Sequence, residues 1–86
     1  MKFQDTVDLM LSDDYRDRFR AEYWQLRIRA DKMKVMLNRH RRNELNFEPN
    51  CPYNLLEYQS SVMEDLIGIL ERRAEIEGIN LNINRR

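Results

Sequence analysis

The longest regular pattern in this chain lies in residues 15–38, which read YRDRFRAEYWQLRIRADKMKVMLN. Apolar residues recur there in steps of three and four, the spacing of one side of an α-helix that packs lengthwise on another. A capping sequence, Ser12-Asp13-Asp14, stands just before the pattern. We therefore expect a first long helix over about residues 13–38. Its apolar stripe is Tyr15, Phe19, Tyr23, Leu26, Ala30, Met33 and Leu37.

A second helical pattern follows residues 39–51, which show no periodicity and read as a connecting loop. Pro52 suits a first helical turn, with Cys51 or Asn50 as the cap, and Gly78 suits a helix stop. Between them lie two apolar rows in steps of seven. We expect a second long helix over about residues 52–77, a short N-terminal helix or arm over residues 3–11, and a tail from residue 79 that extends or frays. The rows are Leu55, Val62, Ile69 and Ile76, and Leu56, Met63 and Leu70.

These elements predict an all-α fold, an antiparallel hairpin of two long helices in a single domain spanning residues 1–86. Trp24, Ile28 and Val35 lie off the stripe of the first helix, and the apolar side of the second helix is broad. One hairpin leaves such residues exposed, so we expect a homo-oligomeric helical bundle. Gly68 costs a helix interior about 1 kcal/mol relative to alanine, which indicates a close approach to the backbone, by another helix in preference to a ligand.

The sequence lacks the residues that several classes of protein function require. One cysteine and one histidine, Cys51 and His40, cannot form an internal disulfide or a tetrahedral zinc site, and we expect no cofactor. No Gly-rich phosphate loop or activated nucleophile occurs, so we expect a protein that is not an enzyme, with His40 solvated in a loop. No apolar stretch is long enough for a membrane span, which predicts a cytoplasmic protein.

Charge is divided between the two halves of a chain whose net charge is zero. Residues 15–42 carry ten Lys or Arg against three acids, and residues 43–78 carry eight acids against two Arg. Either the basic helix pairs with the acidic one, or its cations and aromatic residues bind phosphates and stack on bases. Binding to nucleic acid, suggested by residues 39–42 (Arg-His-Arg-Arg), is disfavoured by the zero net charge and the acidic second helix.

Residues 15–29, followed by Cys51-Pro52, Leu55-Leu56 and residues 62–79, resemble a widespread family of short phage and prophage proteins described as crAss-type-phage-related. The likeness covers roughly residues 13–80. That family is similar to the phage anti-CBASS sponges, helical oligomers that sequester cyclic dinucleotides or trinucleotides used as bacterial immune signals. The resemblance implies an anti-defence protein of the host cell cytoplasm that binds cyclic oligonucleotides without cleaving them.

The resemblance also implies site residues. In the sponges an aromatic side chain near the start of the long helix stacks on a base, and cations further along, supplied across a subunit interface, hold the phosphates. By position, these roles fall to Tyr15 and to Arg18, Arg29 and Lys32. The central loop is longer and more basic than a minimal hairpin requires, which leaves a cyclic ADP-ribose derivative as a related ligand. The alternative function is an oligomeric adaptor or inhibitor that binds a host protein through its surplus apolar surface.

Overall fold

The computed structural model describes residues 1–82, and all regular structure within them is helical. Helix α1 spans Asp5–Met10, α2 spans Tyr15–Arg41 and α3 spans Tyr53–Glu77. The start of α2 contacts the end of α3, and Lys34 contacts Glu64 further along, so the two long helices run antiparallel. The predicted all-α fold, with a short N-terminal helix and two long helices, is confirmed.

Local capping explains where α2 begins. The N-cap is Asp14, whose Oδ1 accepts a hydrogen bond of 2.9 Å from the backbone N–H of Arg16. Ser12 Oγ accepts from the N–H of Asp14 at 3.0 Å and donates to Asp17 at 2.8 Å. These bonds satisfy donors that a helix start leaves without partners. The capping role predicted for this segment is therefore confirmed.

Both ends of the connecting loop differ from the prediction. Helix α2 continues to Arg41, so His40 lies in its last turn and not in a loop. The ring of His40 lies 4.9 Å from that of Tyr53, which holds this turn against α3. The N-cap of α3 is Pro52, which makes no side-chain cap, so neither Cys51 nor Asn50 has the predicted role. At the other end, the left-handed Gly78 (φ 71°) confirms the predicted helix stop.

The core lies between α2 and α3. Tyr23, at its centre, donates a hydrogen bond of 2.7 Å to Glu71, and Arg27 lies 3.6 Å from the same carboxylate. Such polar contacts at the edge of an apolar seam fix how the two helices are aligned. The buried residues of this core are Phe19, Tyr23, Ala30, Ile67, Leu70, Ala74 and Ile79.

Helix α1 is held on α2 by a buried polar contact. Thr6 is fully buried; its hydroxyl donates to the carbonyl of Phe3 at 2.6 Å and accepts from Gln25 Nε2 at 2.9 Å. Ala21, also fully buried, lies on α2 four residues before Gln25, on the same side of the helix. The N-terminal segment is thus anchored along α2.

The segment after Gly78 folds back over α2. Ile79 is buried in the core, Arg20 Nε donates to the carbonyl of Asn80 at 2.6 Å, and Trp24 Nε1 donates to that of Leu81 at 2.7 Å. Of the two predictions for this tail, fraying is wrong for residues 79–82, because the side chains of Ile79 and Leu81 pack on the core beside Trp24. Residues 83–86, which that prediction also covered, lie outside the described residues.

The close approach predicted at Gly68 is not made by any part of residues 1–82. A Cβ placed there would have no neighbour within 4 Å. The helix therefore bears the cost of a glycine, and no contact from residues 1–82 requires one at this position. No helix among the described residues has the length and apolar character needed to cross a membrane.

Candidate ligand cleft

A cleft of about 650 Å³ opens where α2, α3 and the connecting loop meet. Its walls are mostly apolar, and its volume is in the range typical of small-molecule sites. Among residues 1–82, its charged lining residues, Arg29 and Lys32, both come from α2. The lining residues are Phe3, Ile28, Arg29, Lys32, Met33, Met36, Phe47, Pro49, Asn50, Cys51, Leu56, Gln59 and Met63.

The loop reaches the cleft because the chain turns sharply after α2. Asn43 adopts a positive φ of 57°, a conformation that asparagine tolerates better than most residues. The N–H of Glu44 then bonds to the carbonyl of Arg39 at 2.8 Å, which ends the helix and reverses the chain. The reversed chain brings Phe47, whose side chain is 56% exposed, to the wall of the cleft.

Two of the four predicted site residues, Arg29 and Lys32, lie together at this cleft. They are one helical turn apart and both are exposed. Within residues 1–82 neither forms a salt bridge with an acidic side chain. Pairing between the basic and acidic helices involves other cations instead: Arg27 contacts Glu71 at 3.6 Å and Lys34 contacts Glu64 at 2.8 Å. The predicted pairing of the two helices is thus shown for Arg27 and Lys34, while phosphate binding by Arg29 and Lys32 stays a prediction.

The other two predicted residues lie at the opposite end of α2. Tyr15 is 47% exposed, and its hydroxyl donates to Glu77 at 3.0 Å while accepting from Arg73 Nη2 at 2.8 Å. Arg18 is exposed, and its Nη1 donates to the carbonyl of Ser12 at 2.9 Å. The ring of Tyr15 keeps exposed surface, while the described hydrogen bonds of both residues are made within the chain.

Arg73 belongs to this second group, although the sequence pattern did not single it out. Its guanidinium carbon lies 4.9 Å from the ring centre of Phe19, and its Nε donates to Glu77 at 3.3 Å. The hydrogen bond to Glu77 raises the pKa of the Arg73 guanidinium. In the sequence its only signal was a positive charge in an acidic half of the chain, 58 residues from Tyr15.

The two groups do not meet within one chain. Tyr15 and Arg29 are fourteen residues apart on α2, which corresponds to about 21 Å along the helix axis. At 3.6 residues per turn, Tyr15, Arg18 and Arg29 nevertheless lie on the same side of the helix. One chain therefore presents two separate groups of residues along this side of α2: the cleft with Arg29 and Lys32, and a group around Tyr15 that includes Arg18 and Arg73.

An all-helical hairpin has the features of a small binding protein when, as among residues 1–82, an apolar cleft has cations at its edge with no acidic partner. The model of a protein family described as Sequestin matches residues 13–76, and this chain belongs to the Sequestin family. The family name indicates sequestration of a ligand or partner, a binding role rather than a catalytic one. A search of curated proteins gave no match, and neither did a search of solved structures.

Proposed function

We propose that this chain is a phage-encoded anti-defence sponge that binds and sequesters cyclic oligonucleotide immune signals without cleaving them. Membership of the Sequestin family supports a sequestering role. The observation that carries the choice of ligand is the position of Arg29 and Lys32 at the edge of an apolar cleft. Cations beside apolar walls suit a ligand that combines phosphate groups with bases.

The chemistry of the cleft matches the two parts of such a ligand. Arg29 offers a planar guanidinium that can donate two parallel hydrogen bonds to one phosphate, and Lys32 adds a compact positive charge one turn away. Phe47, Met33 and Met36 present aromatic and polarisable apolar surface, on which a base can pack. Because neither cation has an acidic partner in residues 1–82, phosphate binding breaks no salt bridge described there.

Tyr15 and Arg18 extend the proposal to a homo-oligomer. About 21 Å along α2 separates Tyr15 from Arg29, so one copy cannot place both groups on the same phosphate-linked ring. A second copy can supply the aromatic ring to the cleft of the first. In this proposal Tyr15 stacks on a base, while Arg29, Lys32 and Arg18 neutralise phosphates.

The first test is a thermal-shift screen of the purified protein against cyclic dinucleotides, cyclic trinucleotides and cyclic ADP-ribose isomers. A ligand present at 100 times its dissociation constant adds about 2.7 kcal/mol to the free energy of unfolding, a shift that is readily measured. We expect one class to raise the melting temperature. Mass spectrometry of the ligand released by denaturation should show an unchanged mass, because sequestration leaves it intact.

Charge variants then test the cleft. Arg29→Gln and Lys32→Gln should each weaken binding by about tenfold or more, since a hydrogen bond to a charged group contributes roughly 1.5–3 kcal/mol. Arg16→Gln is the matched control: it removes one positive charge from an exposed residue whose acidic partner among residues 1–82 is the nearby Asp14. Equal affinities of all three variants would contradict the assignment of the cleft.

The second candidate is an oligomeric adaptor or inhibitor that binds a host protein. It is favoured by a row of exposed apolar side chains on α3, which include Tyr58 at 68% and Ile76 at 71%. The two functions differ in a simple measurement. No thermal shift with any cyclic nucleotide, in a sample shown to be folded, would favour the adaptor.

A further inference from the structure

Helix α3 carries a second apolar side that no part of residues 1–82 covers. Its buried residues, which include Ile67, Leu70 and Ala74, face α2. Six other large apolar side chains are between 39% and 71% exposed, and they recur in steps of three, four, four, three and seven. We call them the outer face of α3: Leu55, Tyr58, Val62, Leu66, Ile69 and Ile76.

This spacing is that of a seam between paired helices. Steps of three and four keep side chains on one stripe along a helix, and from Leu55 to Ile76 the stripe is about 31 Å long. Helix α1 packs against α2 and makes no contact with α3, so it leaves the outer face open. A contiguous apolar stripe of this length is typical of an interface.

We propose that the outer face of α3 pairs antiparallel with the outer face of a second copy of this chain. The positions are nearly symmetric about the middle of the helix, between Asp65 and Leu66. In the antiparallel register Leu55 faces Ile76 of the second copy, and Val62 faces Ile69. A surface that matches itself after a two-fold rotation is what a symmetric dimer requires.

Arg73 decides between the antiparallel and the parallel arrangement. It lies on the outer face four residues after Ile69 and three before Ile76, at the position where the three-and-four spacing would place an apolar residue. Antiparallel pairing places it opposite Tyr58, whose ring can receive a guanidinium group on its face. Parallel pairing in register would place Arg73 against Arg73 of the second copy, two like charges in an apolar seam. The charges therefore favour the antiparallel dimer.

This pairing also brings the cleft of one copy next to the Tyr15 group of the other, and its functional consequence rests on the proposed function. Gln59 lines the cleft and flanks the outer face one residue from Tyr58. Arg73 of the second copy arrives opposite Tyr58, and with it comes the Tyr15 side chain to which it is hydrogen-bonded. The cleft of one copy and the Tyr15 group of the other then border one cavity.

Disulfide trapping in a Cys51→Ser background tests the register, because Cys51 is the single cysteine of the chain. Leu66→Cys lies next to the proposed two-fold axis and should form a disulfide-linked dimer under mild oxidation. Val62→Cys should not, because its counterpart lies about 10 Å away along the axis, beyond disulfide reach. Linkage at both positions indicates parallel pairing and linkage at neither indicates no pairing; either result overturns the proposal.

Sedimentation across a dilution series tests the interface without cysteine chemistry. The double variant Val62→Asp with Ile69→Asp should weaken dimerisation by about a hundredfold or more, because it removes two central apolar contacts from each copy. Val35→Asp, a charge placed on a 51%-exposed aliphatic residue of α2, is the control and should sediment like the unaltered chain. Helical circular dichroism confirms that each variant is folded. A monomer for the unaltered chain at every concentration would refute the interface.

The dimer and the sponge can be refuted independently of each other. Trapping at Leu66 alone, in a chain that binds no cyclic nucleotide, would keep the dimer and remove the sponge. Ligand binding that depends on Arg29, in a chain that is never trapped at Leu66, would keep the sponge and remove this interface.

Discussion

The hydroxyl of Tyr15, the first residue of α2, donates a hydrogen bond of 3.0 Å to Glu77, the last residue of α3. Arg73 donates to the same hydroxyl and also to Glu77, which closes a small network at the open end of the hairpin. The network holds the Tyr15 ring edge-on to Phe19 while leaving it about half exposed. A ring held in this way loses little further freedom when a base stacks on it.

Two substitutions of Tyr15 distinguish the contribution of its ring to binding from that of its hydroxyl. Tyr15→Ala should weaken binding of the cyclic nucleotide that gives the largest thermal shift by about 5- to 150-fold, because stacking on an aromatic ring contributes roughly 1–3 kcal/mol per base. Tyr15→Phe keeps the ring and should stay within a few-fold of the unaltered chain. Calorimetric titration measures both affinities, and an unchanged affinity for the alanine variant would exclude Tyr15 from the site.

Tyr23 should make the free energy of unfolding depend on pH in the alkaline range. Burial, and then the hydrogen bond to Glu71, raise the pKa of Tyr23 above its ordinary value of 10.0. The protonated phenol is thus favoured in the folded state, so its contribution is complete below about pH 10 and is lost as pH rises through the folded pKa. Tyr23→Phe should lower the free energy of unfolding by about 1 kcal/mol at neutral pH.

Denaturant unfolding at several pH values checks this expectation. The difference between the unaltered chain and Tyr23→Phe should shrink as the pH rises above about 10, because the phenylalanine has no proton to lose. A difference that stays constant through this range would show that the Tyr23 proton is not linked to folding.

Replacement of the two glycines by alanine should have opposite effects on stability. At Gly68 a Cβ meets nothing within 4 Å and the backbone is helical, so Gly68→Ala should raise the free energy of unfolding by about 1 kcal/mol. Gly78 has a φ of 71°, where a side chain is strained, and Gly78→Ala should be destabilising. Thermal unfolding compares the variants, and a loss of stability at Gly68 would reveal a close approach made by a second copy.

The returning segment after α3 should contribute to stability. Ile79 is 6% exposed in the core, and Ile79→Ala should cost about 2–5 kcal/mol, the usual range for removing a buried isoleucine side chain. Val35→Ala, which shortens an exposed aliphatic residue in α2, is the control and should change little. Chemical denaturation of both variants tests this, and a cost below 1 kcal/mol at Ile79 would mean that the segment is not packed in solution.

Local patterns accounted for most of the secondary structure. Apolar spacing, the caps at Ser12-Asp13-Asp14 and the stop at Gly78 act within a few residues, so their consequences can be read along the chain. The sequence pattern predicted the end of α2 at about Asn38, three residues before its end at Arg41, because no local signal marks a boundary after Asn38. Arg39 and Arg41 are favourable at a helix C-terminus, where a positive charge interacts well with the negative end of the helix dipole, and the helix continues through them.

The candidate site could be located only with the tertiary structure. Arg27 and Arg29 are two residues apart in one basic segment, yet Arg27 contacts Glu71 on α3 and Arg29 edges the cleft. A helix turns about 100° per residue, so the position of α3 decides which cations are paired and which stay available. The return of residues 79–82 over Trp24 and the approach of Arg73 to Tyr15 likewise join residues about sixty positions apart. Sequence periodicity specifies which side of each helix is apolar, but the path of the loop and the alignment of the two helices specify what each side meets.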